Sequence, residues 1–498
     1  MPREYKLFGS LCACLYLELL GGGVYAFSVY SVYLKEHFGL TQGQVQLIGT
    51  SGNLGAWLLL PAGCFFDKFG PRPGIGFGAL LVFTGYMILW GAMTGILVPS
   101  LPVLCLGAFT AQHGCSYWDG TAVPMASRNF AGDRDRGLVV GLLKGFFGIS
   151  SSVLTVVYQS FFRPSISSFI LSLALVLPAG ALVTMLGAHV TEKNPSELML
   201  SAQEKARVAT LGYGLLAALV VFVSTGSLYQ RERGSRAVGV ALLGLLAGFL
   251  ALLFPLAMPR WIVDMFTGAA VRVDREEEGG EEGEQGALLA GHVGAPRKER
   301  TKCGLLGSSM FVLRHRKFWI IFVVCVTVMG TGITLINNVG NVVVSLGKEG
   351  VGFYVIMISV GSTLGRAGAG FLRLGMVWPP IIAAAAQLIL SSSSWYALSF
   401  GCFFTGVGFG ASFTLQPCCL AEVFGTKDFG KILGLSMFAP SVGSILLSVV
   451  MATFIYDIHI PPGGEVCTGP SCFRFTFLIL AALNIACALL VKVFLYKK

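Results

Sequence analysis

The chain has 498 residues, of which 54% are hydrophobic and 12% are charged, and its mean hydropathy is +0.75. Soluble proteins carry about 25% charged residues, so the composition excludes a soluble globular protein and indicates an integral membrane protein. The net charge of +10 comes from Lys and Arg scattered between apolar runs. This pattern is typical of loops that border a bilayer and argues against nucleic-acid binding.

Apolar runs of about 20 residues are long enough to cross a bilayer as helices. Fourteen are found, at 7–34, 44–66, 74–97, 101–127, 137–161, 166–188, 208–228, 236–258, 318–345, 351–372, 376–393, 395–420, 431–456 and 473–495. The first is too long for a signal peptide and lacks a small-residue cleavage site, so we expect a retained helix. The distribution of Lys and Arg predicts that both termini face the cytoplasm. One basic loop, "YQRERGSR" (229–236), disobeys this rule, so a shallow hairpin over 208–258 and twelve spans remain the alternative.

The chain divides at "REEEGGEEGEQGALLAGHVGAPRKER" (275–300), a Gly- and Glu-rich block followed by a basic one. Such a composition predicts a disordered cytoplasmic linker. We therefore expect an N-terminal six-helix bundle at 1–193, an extra hydrophobic helix pair at 194–258, the linker at 259–317 and a C-terminal six-helix bundle at 318–498.

A loop motif follows the second predicted span. "GCFFDKFGPRP" (63–73) matches G-x-x-x-D-(R/K)-x-G-x-R at Gly63, Asp67, Lys68, Gly70 and Arg72. The matching place in the second half, "GSTLGRAGAGFLRLG" (361–375), keeps Arg366 but has no Asp. With two six-helix halves, this motif resembles the signature of the major facilitator superfamily. The resemblance implies an all-α polytopic fold of two bundles with 12–14 transmembrane helices, and a role for these residues in a conformational gate.

Three further segments resemble a narrower group. "GGGVYAFSVYSVYLKEHFGLTQGQVQLIGTSGNLGAW" (21–57), "GLLKGFFGISSSVLTVVY" (141–158) and "FWIIFVVCVTVMGTGITLINNVGNVVVSLG" (318–347) are similar to segments of the nodulin-like branch. The resemblance implies a solute transporter whose broader relatives include monocarboxylate and oxalate/formate carriers. Nodulin-like members in protists are linked to iron export and to pyruvate or amino-acid transport, so the resemblance leaves the substrate open.

A polar stripe runs along the ninth predicted span. Its members recur at steps of three and four residues and share one helix face: Thr327, Thr331, Thr334, Asn338, Asn341 and Ser345, with Asn337 beside it. Such a stripe must face protein or water. One interpretation is a helix-packing seam. The other is a wall of the substrate cavity, because the first helix of each half lines the pathway in the fold that the chain resembles.

Ionisable residues inside predicted spans are costly and commonly functional. At 1.5 Å per residue, Glu18 lies about 18–22 Å from the basic N-terminal end and His113 about 22 Å from Arg128. We predict that Glu18 couples transport to protons, with His113 as its neighbour or relay. Tyr25, on the face of Glu18, and Gln112, beside His113, are substrate-binding candidates. The alternatives are a protonated carboxyl with no role and a histidine satisfied by packing.

Asp119 and Lys144 lie at matching depths in neighbouring spans. A structural ion pair is one interpretation, because removing either partner leaves a buried charge unpaired. In the other, Lys144 attracts a carboxylate substrate, which favours an organic anion.

Three smaller features complete the pattern. Cys467 and Cys472, in "EVCTGPSC", suit a small disulfide-closed loop on the non-cytoplasmic face. "EQGALL" fits an acidic dileucine motif at Glu284, Leu288 and Leu289, which predicts a sorting adaptor as partner and an endosomal, lysosomal or vacuolar membrane; the plasma membrane is the alternative. Phosphate loops, nucleophile triads and metal-ligand spacings are absent from the sequence, so we expect no enzyme, no cofactor and no bound metal.

These observations predict a secondary transporter that works by alternating access in a lipid bilayer. The substrate favoured is a small monocarboxylate-like anion moved with protons, and an iron or other metal-related exporter is the second candidate. A transport-inactive receptor or scaffold is the candidate from another class, and the midplane polar groups argue against it.

Overall fold

The computed structural model describes residues 3–23, 27–130, 132–162, 164–190, 200–233, 311–348, 351–392, 394–460 and 467–495, together with positions 244, 248 and 251. Within these ranges the regular secondary structure is entirely helical. The predicted sorting motif at Glu284, Leu288 and Leu289, most of the predicted linker and Tyr25 lie outside the described residues.

Within the described residues, the first half contains ten helices. In chain order they are α1 (Arg3–Gly21), α2 (Phe27–Phe38), α3 (Gln42–Trp57), α4 (Leu60–Phe69), α5 (Pro71–Met93), α6 (Leu101–Asn129), α7 (Asp133–Val157), α8 (Ile166–Thr184), α9 (Ala202–Arg207) and α10 (Gly214–Arg233). π-helical turns extend α7 over Tyr158–Phe162 and join α9 to α10 over Val208–Tyr213.

The second half contains eight more. They are α11 (Arg316–Ser345), α12 (Val351–Phe371), α13 (Trp378–Ser391), α14 (Trp395–Phe424), α15 (Phe429–Ser436), α16 (Phe438–Gly443), α17 (Thr453–Ile458) and α18 (Ser471–Phe494). A π-helical stretch over Ser444–Ala452 joins α16 to α17.

Thirteen of the fourteen predicted spans fall on these helices, but three of them are interrupted. The first comprises α1 and α2, the second α3 and α4, and the thirteenth α15 to α17. The break in the second has a local cause: Pro61, near the start of α4, has no N–H to donate to the carbonyl of Trp57. Eight helices of the described part are long and apolar enough to cross a membrane by length and composition.

The first of the two extra hydrophobic segments that follow the sixth span, 208–228, is helical. α9 and α10 form one rod that packs along α7, with Leu142 of α7 against Gly212 and Leu216 against Gly145. The second member, 236–258, falls outside the described residues except for positions 244, 248 and 251. The predicted domain boundaries therefore remain predictions.

The two halves meet most closely at the end that carries the loop motif, which we call the motif end. The Asp67 carboxylate pairs with Arg128 and accepts the backbone N–H groups of Lys431 (2.8 Å) and Gly430 (3.3 Å) at the start of α15. Arg128 Nε also donates to the carbonyl of Thr426 at 3.1 Å. Asp67 therefore serves as an anionic partner for a helix N-terminus of the opposite half.

The other motif residues lie around this contact. A Cβ added to Gly63 would lie 1.9 Å from the carbonyl oxygen of Gly430, so only glycine allows this approach. Gly70 has φ +82° and makes the turn into α5. Lys68 is exposed, and Arg72 lies 3.3 Å from the His189 ring.

We predict that Gly63→Ala destabilises the closed motif end, because the added methyl group overlaps the backbone of α15. Overpacking of this kind costs about 1–3 kcal/mol, so the thermal midpoint of the purified protein in detergent should fall. Gly76→Ala is the matched control, since a Cβ there meets no atom within 4 Å. Equal midpoints for the two variants would contradict the close contact.

Candidate functional site: a charged cavity between the two halves

A cavity of about 160 Å³ lies between the two halves. The first half lines it with Gly21, Asn53, Ala56, Trp57, Cys115, Ser116, Asp119, Lys144 and Phe147, and the second half with Ile333, Ile336, Asn337, Arg366, Phe409, Phe413 and Met437. Most of this wall is apolar or aromatic. Its ionisable members are Asp119, Lys144 and Arg366, which is the pattern of a ligand site with a few placed polar groups.

Three buried charges form a cluster behind and within the wall of the first half. Lys144 of α7 makes an ion pair with Asp119 of α6, and its Nζ lies 3.4 Å from Oε2 of Glu18 on α1. Glu18 is fully buried, and Lys144 and Asp119 are 4% and 8% exposed. Because Glu18 lies outside the cavity lining, Lys144 stands between a carboxylate that faces the cavity and one that does not.

Arg366 is the cation that the second half contributes to the cavity wall. It is 1% exposed, and its guanidinium lies 4.7 Å from the centroid of Phe413 and 5.3 Å from that of Phe147. Lys144 Nζ lies 5.1 Å from the same Phe147 ring. One aromatic ring therefore contacts a cation from each half, as cation–π geometry favours.

Arg366, which the sequence assigns to a second gate motif, is placed by the structure at the cavity, and its gate role stays a prediction. It lies inside α12 rather than in the following loop, and its side chain lines the cavity instead of the motif end. The missing Asp in the second copy of the motif was the signal that this copy is different. A charge inside a predicted span was the signal that Arg366 belongs with the buried charges.

Some side chains of the polar stripe on α11 pack against a neighbouring helix, and others donate hydrogen bonds to backbone carbonyls of α11 itself. Thr331 accepts a hydrogen bond from Asn484 of α18 at 2.9 Å, and Thr327 accepts one from Cys487 at 3.3 Å. These two threonines form a packing seam with α18. The cavity is lined instead by the neighbouring face of α11, which carries Asn337.

Among the predicted substrate residues of α11, only Asn337 is part of this cavity wall. Its Nδ2 also donates to Ser448 in the π-helical stretch at 3.0 Å. Thr334 donates to the carbonyl of Gly330, and Asn338 donates to the carbonyl of Thr334. Asn341 is exposed outside the lining.

The structure separates His113 from Glu18. The His113 Nδ1 donates to the carbonyl of Gly55 at 3.1 Å and lies 3.2 Å from the Ser116 hydroxyl, and the ring stacks against Phe109. His113 precedes Asp119 by six residues, each of which turns the helix by about 100°, so the two side chains leave α6 about 120° apart. The expected neighbour of Glu18 is therefore Lys144, and His113 belongs to a packing site against α3.

Gln112 also lies outside the cavity lining. It is buried, and its Nε2 donates to the carbonyl of Gly23 at 3.3 Å and to the Tyr86 hydroxyl at 3.4 Å. These bonds hold the end of α1 against α5 and α6. Its predicted contact with substrate has no support in this geometry.

Cys467 and Cys472 form a disulfide at the end opposite the motif. The N–H of Cys467 donates to the Tyr456 hydroxyl at 3.1 Å, and the loop reaches α11 through Gly469, whose N–H donates to the carbonyl of Ser345. The closed loop thus ties α11, α17 and α18 together, away from the cavity.

A family model described as Nodulin-like matches residues 8–260. The chain belongs to the Nodulin-like family. The solved structure of the proton:xylose symporter XylE bound to 6-bromo-6-deoxy-D-glucose aligns with a TM-score of 0.59 at 13% identity, covering 98% of this chain and 96% of that one. The fold is therefore the major facilitator fold, as expected, and the nodulin-like chain is a multi-pass integral membrane protein.

Curated relatives extend over nearly the whole chain. Protein NUCLEAR FUSION DEFECTIVE 4 of Arabidopsis thaliana is 22% identical, covering 97% of this chain and 88% of the relative. Probable transporter MCH1 of Yarrowia lipolytica is 23% identical, covering 97% and 92%. The Oxalate:formate antiporter of Oxalobacter formigenes is 28% identical over a shorter stretch, 29% of this chain and 33% of the antiporter.

We predict that removing Lys144 destabilises the protein more than removing Asp119. Lys144→Met leaves two buried carboxylates without their cation, whereas Asp119→Asn leaves Lys144 beside Glu18. Breaking a buried pair costs about 3–5 kcal/mol, and we expect Lys144→Met at that level and Asp119→Asn below it, measured by thermal or denaturant unfolding in detergent.

Exchanging the two residues, Asp119→Lys with Lys144→Asp, should recover much of the loss. Asp428→Asn is the control, because its partly exposed pair with Lys431 is worth about 0–1 kcal/mol. Wild-type stability of both single variants would show that the cluster has no structural role.

Proposed function

We propose that this chain transports a small organic monoanion together with one proton by alternating access. The observation that carries the proposal is the pair of cations, Lys144 and Arg366, which approach one Phe147 ring from opposite halves of the cavity wall. An anion held between them contacts both bundles at once. Its binding free energy then acts on the equilibrium between the two access states.

The charge balance favours a proton as the companion of the anion. Glu18 and Asp119 carry two negative charges, and Lys144 and Arg366 carry two positive charges, so the empty site is neutral when both carboxyls are ionised. A bound monoanion leaves one negative charge in a poorly solvated region, which is unfavourable. Protonation of one carboxyl restores neutrality, so one proton accompanies one monoanion.

The remaining wall suits a small carbon skeleton. Trp57, Ile333, Phe409 and Phe413 present apolar surface, and Asn337 offers a polar group near them. The printed name of the oxalate:formate antiporter, a partial relative, agrees with a carboxylate substrate.

Glu18 is the group that we assign to the proton. Its carboxyl lies outside the cavity lining, is fully buried and has an oxygen 3.4 Å from Lys144 Nζ. When Lys144 turns toward an incoming anion, Glu18 loses part of its counter-charge and gains affinity for a proton. Lys144 thus links the substrate and the proton without any contribution from His113.

The test of this function is uptake into proteoliposomes with an imposed pH gradient. The panel comprises monocarboxylates, oxalate, amino acids, a neutral sugar and ferrous iron. The proposal expects accumulation of monocarboxylates when the proton gradient points the same way. Accumulation of ferrous iron alone would support the metal exporter, and no accumulation of any solute would support a receptor or scaffold.

We predict that Arg366→Gln raises the KM for the transported anion by about ten- to a hundredfold, because a charged hydrogen-bond donor contributes about 1.5–3 kcal/mol. Arg366→Lys should recover only part of this, since an ammonium lacks the planar fork that binds carboxylates. Arg373→Gln, an exposed arginine just beyond the same helix, is the control. An unchanged KM in Arg366→Gln would show that Arg366 does not bind the transported anion.

We predict that Glu18→Gln abolishes pH-gradient-driven accumulation while sparing exchange of substrate across the membrane. The amide cannot take up or release the proton, but the loaded carrier can still change access. Glu36→Gln, at an exposed position on α2, should behave as the parent. Accumulation by Glu18→Gln at the parental level would show that another group carries the proton.

A further inference from the structure

The segment from Leu200 to Tyr213 begins on the first half at the motif end. The Leu200 N–H donates to the Asp135 carboxylate at 2.7 Å, and Lys205 Nζ lies 3.0 Å from the other oxygen of that carboxylate. Asp135 is 1% exposed. A buried carboxylate therefore fixes the start of the segment to the first turn of α7.

The end of the same segment reaches the second half. The Tyr213 hydroxyl donates to the carbonyl of Leu138 on α7 at 2.7 Å, and the Tyr213 ring packs against Phe371 of α12 with centroids 5.2 Å apart. Next to it, a Cβ on Gly370 would lie 2.6 Å from Cα of Gly141. Tyr213 therefore touches both halves where α7 and α12 cross most closely.

These contacts respond differently to opening of the motif end. Separation of α7 from α12 must break the Tyr213–Phe371 contact. The bonds to Asp135 and Leu138 lie within the first half and are kept. We propose that Leu200–Tyr213 is a strap that holds the motif end closed, with Tyr213 as the positioning residue that sets the balance between the two access states. This role goes beyond the proposed function and needs no particular substrate.

The expected effect follows from the strength of one aromatic pair. Loss of such a contact changes an equilibrium by roughly two- to tenfold. Phe371→Leu and Tyr213→Leu should each raise the ratio of open to closed motif ends by this factor. Tyr213→Phe keeps the ring and loses only the bond to Leu138, so its effect should be smaller.

The experiment is a spin-label distance measurement on the full chain in nanodiscs without added substrate. Labels are placed on cysteines introduced at Lys68 of the first half and Lys427 of the second, both exposed, in a background in which the cysteines other than Cys467 and Cys472 are replaced by Ala. Phe454→Leu, a 65% exposed ring on α17, is the matched control.

The strap predicts a larger long-distance population in Phe371→Leu and Tyr213→Leu than in the control, with Tyr213→Phe in between. Phe371 is 49% exposed at a helix end, so Phe371→Leu tests the strap even if Tyr213→Leu fails to fold. Identical distance distributions in Phe371→Leu and Phe454→Leu would overturn the proposal. Neither result depends on which solute is carried, so failure of the strap and failure of the transport assignment remain distinguishable.

Discussion

The cost of burying charge in a membrane protein is the constraint on which this structure depends. Glu18, Asp119 and Lys144 come from three different helices and are each at most 8% exposed, so none is stable without the others. Their pairing fixes how α1, α6 and α7 pack in the first half. It also leaves a site in which any added charge must be balanced, which is the physical basis of the coupled transport that we propose.

The two ends of the molecule use different interactions around this site. At the motif end, Asp67 pairs with Arg128 and accepts a backbone N–H at the start of α15, and glycines let the backbones of opposite halves approach each other closely. At the other end, the disulfide loop ties helices within the second half alone. Contacts between halves are reversible polar and van der Waals contacts, whereas the covalent one stays within a single bundle. This distribution suits a molecule whose halves move as units.

Hydropathy was enough to predict the helices, because a bilayer imposes a minimum length on each span, and the major facilitator fold was implied by the resemblance of the loop motif at residues 63–72. Asp119 and Lys144 were paired from depth alone. Depth in the bilayer does not show which way a side chain points, however. His113 was therefore expected beside Glu18, whereas it faces Gly55 of α3 and Glu18 faces Lys144 of α7. The stripe on α11 had the right period, but only the position of α18 shows that Thr327 and Thr331 face a neighbouring helix. Arg366 was assigned from a loop motif, and only the tertiary structure places it in the cavity.

We propose that the four charges of the site, Glu18, Asp119, Lys144 and Arg366, stay balanced through the cycle, so that each monoanion moves with one proton and no net charge. The direct measurement is uptake of a transported monocarboxylate into proteoliposomes in which the pH gradient and the membrane potential are set independently with ionophores. The account predicts uptake that follows the pH gradient and is unchanged by a potential of either sign. Uptake driven by the potential in the absence of a pH gradient would contradict it.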